Sequence, residues 1–154
     1  MYQSLTFFHS VIRWFVLISL LYSIYRAYIG FSGNREFSKT DNSVRHWTAT
    51  IAHIQLMVGI LLFSQSPVVK YFWNHVQVAY KVNEALFFGL IHLVMMLVAI
   101  VVLTIGSALS KRRATGREKF KTMLIWFSVA LLIILLAVPW PFSPLAARPY
   151  FRPF

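Results

Sequence analysis

ALFFGLIHLVMMLVAIVVLTIGSA, residues 85–108, runs for 24 residues without one Asp, Glu, Lys or Arg. As an α-helix rising 1.5 Å per residue it reaches about 36 Å, enough to cross the roughly 30 Å hydrocarbon core of a bilayer. Working outward, three further stretches have comparable length and apolarity. The expected spans are residues 5–28, 45–64, 83–108 and 118–138 of the 154-residue chain. The fold class is therefore all-α, an integral membrane four-helix bundle forming one transmembrane domain over residues 1–154. Ser4, Ser43 and Asn83 read as helix N-caps, and Thr115 with Glu118 has capping-box spacing. Pro139 stops the fourth helix, leaving an aromatic, proline-rich interfacial tail over 139–154. The first helix does not read as a cleavable signal, because no basic stretch precedes it and Arg13 interrupts it.

Composition agrees: 58% of residues are apolar, only 12% are charged, and mean hydropathy is +0.66. A net charge of +11 on a soluble face would point to nucleic acid, but the basic residues flank the apolar runs, where they set topology. Nucleic acid is therefore not an expected partner; membrane lipid is. Arg26, Arg35, Lys39 and Arg45 belong to the first loop and its flanks, and Lys111, Arg112, Arg113, Arg117, Lys119 and Lys121 to the third. Lys70 and Lys81 in loop two, with Arg148 and Arg152 in the tail, are all that faces the other side. This bias puts loops one and three in the cytoplasm of a bacterial inner membrane and both termini on the periplasmic side. An aromatic belt of Tyr71, Phe72, Trp73, Trp140, Phe142, Tyr150 and Phe151 is expected there.

Cysteine is absent, which excludes disulfides, thiolate chemistry, iron–sulfur clusters and covalent haem attachment. The four acidic residues all lie away from helix centres, and no phosphate loop, HExxH or nucleophile elbow occurs. A self-contained hydrolase or nucleotide enzyme is not indicated.

An ionisable side chain is costly in lipid, so His9, Arg13, His53 and His92 carry the information. By helical rise, His9 lies about 10 Å and His92 about 6 Å to the outer side of the midplane, with His53 about 5 Å to the inner side. Two imidazoles on different helices in one leaflet are what a bis-histidine haem requires. His9 and His92 are thus candidate axial ligands to the iron of a haem b, and His53 is an alternative ligand. Phe88 and Met95 or Met96 share the His92 face and would line the pocket, while Arg13 would meet a haem propionate or Glu84. Taken singly, each histidine reads equally well as a structural residue bonded to a backbone carbonyl or hydroxyl. The methionines read also as core fillers.

FHSVIRW (8–14), HIQLMVGILLF (53–63), HLVMMLVAIVVLTIG (92–106) and PWPF (139–142) together resemble small four-helix membrane proteins of bacteria, common in Bacteroidetes and labelled cytochrome-b-like. The likeness spans nearly the whole chain and implies an inner-membrane bundle with His9, Arg13, Gln55 and His92 at the characteristic polar positions. Members often carry Glu before the third-helix histidine; here Ile91 stands there, which removes an acid–base group and leaves axial ligation intact. The function expected is membrane electron transfer through haem b, with quinol or a redox protein as partner. The alternative is a non-catalytic structural or accessory subunit of a larger membrane complex, and a His- and Met-based transporter would need several copies to form a path.

Overall fold

The structure, a computed structural model, describes residues 1–150. Phe151 of the expected belt and Arg152 of the charge count lie outside the described residues. Among these residues the fold is all-helical: α1 (Tyr2–Ser32), α2 (Lys39–Gln65), α3 (Pro67–Asn74), α4 (Val76–Ala79), α5 (Asn83–Leu86), a π-helical turn (Phe87–Ile91), α6 (His92–Arg112) and α7 (Gly116–Ala137). The segment from α5 through α6 is one continuous span, Asn83–Arg112, and with α1, α2 and α7 it makes four helices long and apolar enough to cross a membrane. The protein is thus a multi-pass membrane protein.

Each span extends beyond or shifts from its expected limits, for local reasons. Ser4 and Ser43 lie inside helices, because α1 starts at Tyr2 and α2 is capped earlier by Ser38. Ser38 accepts from the Asp41 N–H while the Asp41 carboxylate accepts from the Ser38 N–H, a reciprocal cap that adds more than a turn of polar helix. Asn83 is the first residue of α5 rather than its cap. The Thr115 and Glu118 capping box forms at the start of α7. Loop two holds α3, which Ser66 caps and Pro67 opens, where a plain loop was expected.

α1 packs on α2 and α7, and α6 packs on the same two helices, so α1 and α6 stand diagonally across the bundle. The largest buried side chains, Leu20, Leu103, Phe120, Met123 and Phe127, fill the half near loops one and three. Polar ties reinforce that half. The Ser23 hydroxyl is 2.7 Å from that of Thr48, whose own proton goes to the Ser19 carbonyl. Arg26 meets Asp41 at 2.7 Å with the Asp41 side chain 1% exposed. Buried Arg45 donates to the Ser107 carbonyl at 3.0 Å and to Asn42 at 2.9 Å. Outward-facing Phe15, Ile18, Leu21, Leu132 and Leu136 are exposed, as helices solvated by lipid require.

Asp41→Ala removes the carboxylate half of the capping box and the ion pair with Arg26, which keeps only its bond to the Tyr22 hydroxyl. It is expected to lower stability by about 1 to 3 kcal/mol, measured as a shift of the unfolding midpoint in mixed micelles. A midpoint equal to the wild type would show that this corner contributes nothing.

Candidate functional site

The opposite half of the bundle is hollow. Tyr2, Thr6, His9, Arg13 and Val16 form the helical stripe along which α1 faces a cleft of about 180 Å³. The stripe covers 14 residues of rise, about 21 Å. Across the bundle Phe88, His92 and Met96 line the same cleft, with Gln55 and Gly59 from α2 and Ile134 from α7.

His9 and His92 face one another with ring centroids 6.4 Å apart and planes at 70°. Two features of the chain bring them together. The π-helical turn ends at His92, whose backbone N–H bonds the Phe87 carbonyl five residues back, and the wider turn offsets α6 from α5. Gly59 lets His9 lean on α2: a Cβ there would stand 3.2 Å from His9 Cε1.

His92 Nδ1 is 2.7 Å from the Ala137 carbonyl oxygen, which can only accept, so Nδ1 carries the proton and Nε2 keeps its lone pair. Gln55 Nε2 donates to the His9 carbonyl at 2.9 Å, tying α2 to α1 at the level of the imidazole. The Phe87 and Phe88 rings sit 5.5 and 6.1 Å from His92. The Arg148 guanidinium lies 4.9 Å over Phe88.

The tail closes the mouth of the cleft. Arg148 pairs with Glu84, and both Arg13 Nη2 and Trp14 Nε1 donate to the Tyr150 carbonyl. Glu84, expected beside Arg13, is therefore engaged by a tail residue whose role had no signal in the sequence beyond its charge. Phe72, expected in the interfacial belt, is 3% exposed instead. It seats α3 on the π-helical turn at Gly89, where any Cβ would fall inside the Phe72 ring.

Of the expected site residues, His9, Arg13, Phe88, His92 and Met96 line one cleft. Met95 and His53 do not. His53 is exposed, and its Nε2 lies 3.0 Å from Thr104 Oγ1. The Thr104 hydroxyl proton goes to the Ile100 carbonyl at 2.7 Å, so His53 donates to Thr104 and its Nε2 has no lone pair to offer a metal. Ser10, Gln55 and Arg148 join the site. Gln55 was visible only as a polar position in the resemblance, and Ser10 had no distinguishing signal at all. Among the described residues no three His, Cys, Asp or Glu side chains gather closely enough to share a metal ion.

No protein-family model, characterised protein or solved structure matches this chain.

Phe72→Ala should loosen α3 from the π-helical turn. A single cysteine introduced at buried Val69 is then expected to react about tenfold faster with a maleimide than in the Phe72 background. Equal rates would mean that other contacts hold α3 in place.

Proposed function

We propose that this protein is a haem b electron carrier of the bacterial inner membrane, with His9 and His92 as the two axial ligands. The observation that carries the reading is the state of His92. Its Nδ1–H is committed to a backbone carbonyl, the usual companion of a ligating imidazole, and its lone-pair nitrogen belongs to a ring facing His9. The two ring centroids stand 6.4 Å apart, so both imidazoles would be within reach of one metal ion.

The donor set favours this group over a bare ion. Two imidazoles are too few for a structural zinc site, whereas a porphyrin brings four nitrogens of its own. Arg13 and Arg148 line the cleft and would neutralise propionates; Phe88 and Met96 would supply apolar walls. The open 180 Å³ is less than a porphyrin occupies, so loading requires the cleft to widen. When bound, the group supplies reversible one-electron chemistry, and the protein supplies ligands, orientation and a dry surround. The resemblance read in the sequence points to the same assignment, and the approach of the two imidazoles supports it. Its electrons would come from quinol or a redox protein at the periplasmic side.

Protein purified from haem-replete cells should show a Soret band and, when reduced, an α-band, with both lost in His9→Ala and His92→Ala and kept in His53→Ala. A folded wild-type protein that stays colourless after haemin addition would end the haem reading.

The Lys and Arg bias supports cytoplasmic loops one and three. Because the chain has no native cysteine, single-cysteine labelling is direct. In intact spheroplasts an impermeant maleimide should modify Ser143→Cys, and should reach Lys111→Cys only after permeabilisation; the reverse pattern would invert the topology.

A further inference from the structure

Three polar atoms buried in one corner of the cleft have no hydrogen-bond partner among the described residues: His9 Nδ1, Ser10 Oγ and Gln55 Oε1. Ser10 is only 6% exposed, and all three side chains line the cleft. An unsatisfied polar atom in an apolar interior costs about 1 to 3 kcal/mol, and three on facing turns of α1 and α2 call for a common partner. That partner must both donate and accept, because Gln55 Oε1 only accepts whereas a hydroxyl or imidazole nitrogen serves either way.

Size and surroundings narrow the partner further. An apolar cavity of about 150 Å³ takes one benzene ring, so the 180 Å³ here suits a single substituted six-membered ring. Val16, Leu56, Met96 and Ile134 give the cleft apolar wall, while Arg13, His92 and Arg148 also line it. The hydrogen-bonded ties between α2 and α6, Arg45 to Ser107 and His53 to Thr104, lie on the other half of the bundle. Leu62, Phe63 and Leu93, which also line the cleft, are half-exposed on spans long and apolar enough to lie in a bilayer. A ligand reaching this corner from the bilayer is therefore itself lipophilic, with ring oxygens at one end.

We infer that the His9, Ser10 and Gln55 corner is a binding seat for the head group of a lipid-soluble quinone or quinol. A ring oxygen sits within reach of the three orphan atoms, and the ring fills the apolar part of the cleft. The quinol form offers a proton to Gln55 Oε1, and either form accepts from Ser10 or His9. The seat involves no electron transfer in itself, and because it uses the same 180 Å³ cleft as the haem, ring and haem exclude one another there.

The test is titration of ubiquinone-1 into the purified full chain in phospholipid nanodiscs, followed by quenching of tryptophan fluorescence and corrected with empty-chain nanodiscs for partitioning. The Soret absorbance of each sample is recorded alongside, so the two readings are scored separately. Saturable binding at one quinone per chain is expected, weakened about tenfold in Ser10→Ala and in Gln55→Leu, since each removes one hydrogen bond to the ring oxygen. Gly59→Leu, which fills the cleft beside His9, should abolish it. Butylbenzene, which has the ring without the oxygens, should compete at least about tenfold more weakly. Quenching that never exceeds partitioning, or that is equal in wild type, Ser10→Ala and Gln55→Leu, overturns the seat and leaves ordered water as the partner of those atoms. Titrations use the haem-free chain and haemin is added separately: quinone binding with no Soret band after haemin keeps the seat and removes the haem, and a Soret band after haemin with no quinone binding to the haem-free chain does the opposite.

Discussion

Between the two faces of a bilayer there is no water to complete a hydrogen bond, so every polar side chain in a spanning helix must find its partner within the protein. That constraint divides this bundle into two halves. Near loops one and three it is met completely: Ser23 to Thr48 to the Ser19 carbonyl, Arg26 to Asp41, and Arg45 to Ser107 and Asn42 leave the aromatic core closed around Phe120 and Phe127. In the other half the same constraint is left open around His9, Ser10 and Gln55. A fold that satisfies one end and withholds partners at the other has concentrated its cost where a bound molecule can offset it.

The diagonal placing of α1 and α6 gives that open half its chemistry. α1 and α6 both pack on α2 and α7, and across the bundle axis His9 and His92 meet with their ring planes at 70°. α2 and α7 then serve as flanking walls, and each also contributes one positioning bond: Gln55 to the His9 carbonyl and the Ala137 carbonyl to His92. The His92 imidazole is thereby held by α7, while on the His9 side the bond fixes the backbone that carries the ring.

Much of this was legible in the residues, and the gaps have physical causes. Hydropathy located all four spans because lipid imposes length and apolarity directly. Depth along the helices paired His9 with His92 and separated His53, since rise per residue is fixed by backbone geometry. Rotation about each helix axis was harder to read. Met95 and Met96 are adjacent and differ only in facing, and only Met96 lines the cleft. Contacts between segments distant in the chain carried no sequence signal: Arg148 with Glu84, the Tyr150 carbonyl with Arg13, and Phe72 with Gly89. Polar N-terminal extensions such as Lys39–Val44 were hidden because a capping box makes helix from residues that hydropathy counts as loop.

The π-helical turn ahead of His92 holds one residue more than an α-helical path would need, and each residue of an α-helix advances its side chain by about 100°. The azimuth of the His92 ring is thus geared to whether that turn stays wide. Phe72 rests directly on it at Gly89. α3 and the His92 imidazole thus meet at a single hinge of packing, the Phe72 ring on Gly89, in the turn that sets the ring's azimuth.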